Sequence, residues 1–398
     1  MKRLVWILAM MMMAAPAWAA KKVNVGQLED LLRSLQRAQK ADAEVATQLK
    51  QVELTQELTR SAMNNLVKYV SGPLSTGQLF VLEALSADLI PPASDLPSNP
   101  APDAAAQKAL LAKAESYVNN NFRQLPLLTA TRTTLRFQDN MEAAVSDSGI
   151  AGSAKEVDLS AGFSNPVLFF RYLNSSEVPV ASEHGAEQLP PGKDKTRWGE
   201  NQMIALKEPA PSLGVIFSEA LETGSVQWQR WELINGRPAA VFSFAVPKAK
   251  SALTVDICCF PNLVQAGVAR FYNSMSAPAM AVGDQAVGSG VGGVTGNFQS
   301  ATDWQNYRSI VPYRGEFFVD SASGIVVRMI TEAELAPSEV VHRVNTRIDY
   351  GPVTVGGKML VLPVKSVVNT EVVPKGDSGA GSFTTRQTLF TAVYKDYK

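Results

Sequence analysis

SVQWQRWELINGRPAAVFSFAV, residues 225–246, holds the pattern that decides the fold. Two runs rich in aromatic and β-branched residues flank Asn235-Gly236. Asn-Gly readily takes the positive φ angles of a two-residue hairpin turn, whose twist matches that of paired antiparallel strands. Strand side chains alternate between faces, so Phe242, Phe244 and Val246 share one. The segment predicts a β-hairpin.

The same grammar recurs towards the C-terminus. GEFFVD and GIVVRMITEAE flank Ser321-Ala322-Ser323, with Gly324 placed for a bulged turn. HRVNTRIDY leads into VTVGGKMLVLPV, where Gly356-Gly357 turns the chain. VKSVVNTEVV and FTTRQTLFTAVY close the protein. Upstream, TATRTTLRF (129–137) alternates and is rich in threonine, as strands are. Sequential hairpins imply an antiparallel sheet, and a chain of them implies a curved sheet or an open half-barrel. A long insertion, 261–306, contains GDQAVGSGVGGVTG and reads as a flexible loop.

Residues 20–90 read differently. Asn24 and Gln27 form a capping-box pair, and Leu28, Leu31, Leu32 and Leu35 follow at one-face helical spacing. Val45, Leu49 and Val52 extend the pattern after a turn near 38–42. Gly72-Pro73 reads as a stop, with Ser75 or Thr76 capping the next helix. PPASDLPSNPAP (91–102) reads as a stiff linker. Asp103 then caps a helix carrying Leu110, Leu111, Ala114, Tyr117, Val118 and Phe122 towards the first strand, and PSLGVIFSEAL (211–221) predicts a short helix. The expected architecture is α+β: a helical region at 20–90, then a β-rich domain at 103–398 with a helix on the concave face of its sheet.

The first 19 residues have the form of a secretory leader. Lys2 and Arg3 precede the apolar LVWILAMMMMAAP, and Ala17-Trp18-Ala19 supplies small residues for cleavage before Ala20. Export to the periplasm or beyond is expected, with no membrane span after cleavage. The two cysteines, Cys258 and Cys259, are adjacent in TVDICCF. On a strand they point to opposite faces as two thiols; a strained vicinal disulfide is the alternative.

Composition excludes several classes. Of 398 residues, 46% are hydrophobic, which allows a substantial core. Basic and acidic residues number 37 each, which with export argues against a nucleic-acid partner, despite WQRWE (228–232) interleaving aromatic and basic side chains. GDSGAG (376–381) matches the nucleophile motif of chymotrypsin-like proteases, but only two histidines exist, His184 and His342, and neither has the required setting. GDSGAG is also what a hairpin loop prefers. GSGVGGVTG lacks the Lys-Ser/Thr of a phosphate loop. Glu332 and Glu334 share a strand face but carry no other mark of a glycosidase pair. No histidine, cysteine and carboxylate pattern has metal-ligand spacing. No catalytic residue, metal or cofactor is therefore expected.

The hairpin YRGEFFVDSASGIVVRMITEAE resembles a recurring unit of periplasmic lipoprotein-carrier proteins of the LolA/LppX type: a strand, D-x-x-(S/T)-G, and a second strand. IDYGPVTVGGKMLVLPVKSVV resembles the hairpin that follows it, and the helix 103–122 entering TATRTTLRF resembles that fold's opening. QLEDLL, WQRWE and FSFAVP further resemble a group of uncharacterised secreted bacterial proteins. The carrier resemblance implies an open half-barrel holding a lipid or lipidated ligand. Every second residue of a strand lines such a face, which makes Phe242, Phe244, Val327 and Met329 the candidate ligand-binding residues. Ordinary core packing is the other reading of the same alternation. The alternative function is a structural or interaction component of the cell envelope, its N-terminal helices docking a partner protein.

Overall fold

The computed structural model describes residues 21–70, 72–139, 170–183, 186–188, 205–206, 212–261, 304–372 and 386–398. The leader, the GDSGAG motif, His184 and the glycine-rich part of the insertion lie outside them.

The N-terminal region comprises β1 (Lys21–Val23), α1 (Val25–Arg37), α2 (Asp42–Lys50), β2 (Val52–Leu54), α3 (Arg60–Leu66) and α4 (Pro73–Leu85). The capping box forms as expected: Gln27 N donates to Asn24 Oδ1 at 2.8 Å and Asn24 N donates to Gln27 Oε1 at 2.9 Å. Leu28 and Leu32 then face Val45, Leu49, Leu79 and Leu82 in a core of their own. Two local expectations change. Val52 does not continue a helix, because Val52–Leu54 pairs in parallel with Lys21–Val23. Gly72-Pro73 begins a helix rather than only ending one. Proline at the first helical position lacks an N–H that would have no partner there. The cap comes from a distance: the Asp42 carboxylate accepts from Leu74 N and Ser75 N, both at 2.9 Å.

Past the linker, Asp103 caps α5 (Ala104–Tyr117), whose end widens into a π-helical turn over Val118–Phe122. Next come β3 (Leu128–Asp139), β4 (Phe170–Glu183), β5 (Ala186–Gln188), β6 (Ala205–Leu206) and α6 (Leu213–Thr223). The hairpin strands β7 (Gln227–Ile234) and β8 (Arg237–Val246) precede β9 (Thr254–Pro261) and β10 (Trp304–Ile310). β11 (Tyr313–Asp320), β12 (Val326–Ala333), β13 (Val341–Val355), β14 (Lys358–Val372) and β15 (Arg386–Lys395) complete the chain.

Ten strands form one sheet in the order β5-β4-β3-β15-β14-β13-β12-β11-β8-β7, each antiparallel to its neighbours. β5 and β7 end the order without pairing to each other, so the sheet is open and does not close into a barrel. The architecture is α+β, as the hairpin pattern implied. The turns carry the predicted backbone: φ is 51° at Asn235 and 77° at Gly236, 76° at Gly324, and 55° and 78° at Gly356 and Gly357. A second sheet, ordered β10-β9-β6, was not foreseen. β9 and β10 flank the insertion and pair with each other. This small sheet packs through Val255 and Ile257 on Val341, Val344 and Val372.

The large sheet is covered on both faces. On the front, α5, the π turn and α6 pack on Phe242, Phe244, Tyr313, Phe317, Met329 and Ile348. Phe244 stacks on Phe317 with centroids 4.3 Å apart, and Phe217 of α6 lies 4.8 Å from Phe317. On the back, Val81, Ala84 and Ala87 pack on Val367 and Leu389, docking the N-terminal region. Polar contacts reinforce the docking: Lys365 Nζ lies 3.1 Å from Glu83 Oε1, and Asn345 donates to Asp88. Among the described residues no helix is long and apolar enough to cross a membrane.

Candidate functional site

The four residues expected to line a ligand face do not act together. Phe242, Phe244 and Met329 are at most 3% exposed and belong to the front core beneath α5 and α6. Val327 lies on the back with Ile234, Val241, Phe318 and Ile330. A register shift opposite Phe318 and Val319 separates it from Met329. Phe318 pairs with Arg328 but Val319 pairs with Val326, so Val327 is the extra residue of a bulge. Simple alternation cannot see that insertion. Cys258 and Cys259 sit on β9 as expected, but their side chains are outside the described residues.

Among the described residues, an open concavity lies at the margin of the front core and has a volume of about 660 Å³. Three remote segments build it: the end of α5 with the π turn, the β11–β12 turn, and the tip of the β13–β14 hairpin. Each is placed by a specific device. Asp320 fixes the β11–β12 turn by accepting from Ser323 N at 2.8 Å and Ser323 Oγ at 2.7 Å. Burial opposes ionisation of Asp320, but the hydrogen bonds from Ser323 and Ala322 outweigh it and hold the carboxyl below its ordinary range. This is the physical content of the D-x-x-S-G motif. Gly324 then lies so close to α5 that a Cβ there would come within 2.5 Å of Lys113 Cβ. The hairpin tip reaches the site because β13 and β14 run past the rest of the sheet, from Asp349 to Val355 and from Lys358 to Lys365. The wider π turn brings Asn120 and Asn121 to the mouth; such turns recur at functional sites.

The lining is divided. Phe122, Ile325, Leu360 and Val361 form an apolar floor, with Met359 at the lip and 75% exposed. Asn120, Asn121, Gln124 and Lys113 supply amides and one ammonium around the mouth. Burial pushes the Tyr117 hydroxyl up to about 12, so it stays protonated and uncharged at physiological pH. The arrangement can shelter an apolar chain while hydrogen-bonding a polar head. Among the described residues, its lining brings no base, nucleophile and orienting group into mutual reach.

The remaining sequence motifs fall elsewhere. His342 is exposed on β13. Glu332 pairs with Arg314 at 2.8 Å, and Glu334 lies past the end of β12. In WQRWE, Trp231 Nε1 donates to the Pro100 carbonyl at 2.8 Å, tying the proline linker to β7, and Arg230 is engaged by Glu232 and Glu316. Among the described residues no group of three or more histidine, cysteine or acidic side chains is placed to hold a metal. Comparison with protein-family models, with curated proteins and with solved structures gave no match. The turns that carry two of the walls were legible in the sequence one by one, but their meeting with the end of α5 was not, since they lie about 200 or more positions from it.

Proposed function

We propose that this protein is a non-enzymatic, exported binding protein that holds an amphiphilic ligand, a lipid or a lipidated molecule, in the cleft between α5 and the β13–β14 tip. One observation carries the reading: an apolar floor of Phe122, Ile325, Leu360 and Val361 beneath a rim of amides and Lys113, in a volume suited to a small ligand. The leader-like N-terminus and the resemblance of the two hairpins to lipoprotein carriers point the same way. The seat differs from the one implied by strand alternation, because α5 and α6 fill the centre of the front face.

The test is native mass spectrometry of residues 20–398 purified from a periplasm, before and after organic extraction. The expected result is bound acyl mass that extraction removes and that Val361→Asp no longer retains. Bare polypeptide mass, persisting after incubation with membrane lipid extract, overturns the reading. The N-terminal helices and an envelope protein partner then become the better explanation.

A further inference from the structure

Where the N-terminal region docks, the back of the sheet holds a buried cluster of charge. Arg230 and Glu232 stand on β7, Glu316 on β11, Arg328 on β12, and Arg347 and Asp349 on β13. From the loop between β2 and α3 comes Glu57, 5% exposed. Its Oε1 lies 2.5 Å from Arg347 Nη1 and 3.6 Å from Arg328 Nη1. Arg328 also reaches Asp349 at 2.6 Å and Glu232 at 3.4 Å. Arg230 reaches Glu232 at 3.0 Å and Glu316 at 2.7 Å. Arg347 donates further to the Ala87 carbonyl, at the end of the docked region, at 3.0 Å.

Among the described residues, the inventory is unbalanced. Four carboxylates, Glu57, Glu232, Glu316 and Asp349, share three guanidiniums. An uncompensated charge out of water is costly, and a proton removes it. Asp349 is not the group that takes the proton. Burial opposes its ionisation, but Arg328 and Arg347 outweigh burial and hold it well below the ordinary carboxylate range. Glu316 is the most exposed of the four and is bidentate on Arg230. Glu232 is only 2% exposed. It meets Arg230 along its own strand, Arg328 from β12 and Glu57 from the N-terminal loop, while β8 places only Ala239 opposite it. Glu316 and Asp349 connect to it through those arginines, and Arg347 through Glu57 and Asp349. Burial first and the charge of Glu57 second push the Glu232 carboxyl up to about 7, against the pull of Arg230 and Arg328.

We propose that this cluster is a proton-operated latch between the N-terminal region and the sheet. With Glu232 protonated, Glu57 pairs with Arg347 and Arg328 unopposed and the region is clamped. Loss of that proton sets Glu232 against Glu57 inside one buried interface and loosens the docking. The sign follows from linkage: a carboxyl that binds its proton more tightly in the docked state favours docking at lower pH, and that advantage fades as pH rises through its docked value. The latch therefore tightens in mildly acidic surroundings and slackens above neutrality. It does not depend on what the cleft binds.

The test is amide hydrogen exchange at Glu57 and Leu58, whose N–H groups bond Ile90 O and Ser86 Oγ across the region, corrected for intrinsic exchange rates. From pH 6 to pH 8 their protection is expected to fall by up to about tenfold, while Phe317 in β11 keeps its protection. Glu232→Gln, which fixes the neutral form, should remove the pH dependence. No fall in the wild type, or an equal fall in Glu232→Gln, overturns the latch. Should the variant fail to fold, carbon NMR of the wild-type carboxyls decides: Glu232 titrating above pH 6 supports the proposal, and titration below pH 6 rejects it.

Discussion

Gly315 and Gly77 show how one substitution takes opposite signs from its surroundings. A Cβ on Gly315 would sit 2.0 Å from the Ile330 carbonyl oxygen and 2.6 Å from the tip of the Phe244 ring. That absence of a side chain is what lets Phe244 lie flat across β11 and stack on Phe317. Backbone on β12 cannot yield without breaking the ladder, so Gly315→Ala is expected to cost about 2–3 kcal/mol. Gly77 lies inside α4, where a methyl group would meet nothing within 4 Å. Gly77→Ala there is expected to gain about 0.5–1 kcal/mol, because alanine gives the unfolded chain fewer states to lose. Urea unfolding of both variants checks the pair; a stabilised Gly315→Ala would show that the front core is looser than its ring contacts imply. Residue chemistry was also the level most legible in the sequence. Asn235-Gly236, Gly324 and Gly356-Gly357 each demanded a turn for a local reason, and each turn is there.

At the scale of elements, legibility ended where distant parts of the chain intervene. The sequence near Gly72-Pro73 contains plausible local caps, but Asp42, some 30 residues upstream, supplies the cap of α4. The Asp42 carboxyl lies below its ordinary range, chiefly because Ser75 donates to it, with the backbone of Ser75 and Leu74 adding to the effect. Asn24, by contrast, caps α1 within its own turn, and Asn24→Ala is expected to cost about 1 kcal/mol. Asp42→Ala removes two backbone acceptor contacts and also the tie between α2 and α4. It is therefore expected to lower the urea midpoint further than Asn24→Ala does, and to reduce amide protection at Leu74 and Ser75 selectively. Equal midpoints would mean that α4 is held by its packing on the sheet and in the N-terminal core, and not by this cap. The bulge at Val327 has the same origin as the distant cap. Its neighbours in sequence obey alternation, and only pairing with Phe318 and Val319 reveals the extra residue. The cleft is the extreme case, since its floor joins Phe122 to Val361.

For the whole molecule, an open sheet covered on both faces places several of its tyrosines between layers, and the protons of those report on global folding. Tyr350 packs edge-on to Phe122 at 5.8 Å, Tyr313 donates to Glu219 at 2.6 Å, Tyr394 to Glu187 at 2.9 Å and Tyr397 to the Pro363 carbonyl at 2.6 Å. These residues come from β13, β11, β15 and the C-terminus, and each contacts a different segment. Burial is the first cause that raises every one of these hydroxyls above its ordinary value, and nearby carboxylates add to it. Tyr117 is raised in the same way, to about 12. A tyrosine whose folded value exceeds its unfolded one contributes fully below about pH 10, the unfolded value, and loses that contribution as pH rises beyond it. Several such groups titrating together make the loss steep. We expect stability to be level from about pH 8 to pH 9.5 and to collapse cooperatively above about pH 10.5, with tyrosinate absorbance appearing in the same transition as the loss of sheet signal. Gradual ionisation of the buried tyrosines along with the exposed Tyr172, in a protein that keeps its circular dichroism, would contradict this, because it would require these hydroxyls to ionise in place between packed layers. Tyr394→Phe, which keeps the ring and removes the proton, should make the alkaline transition less steep.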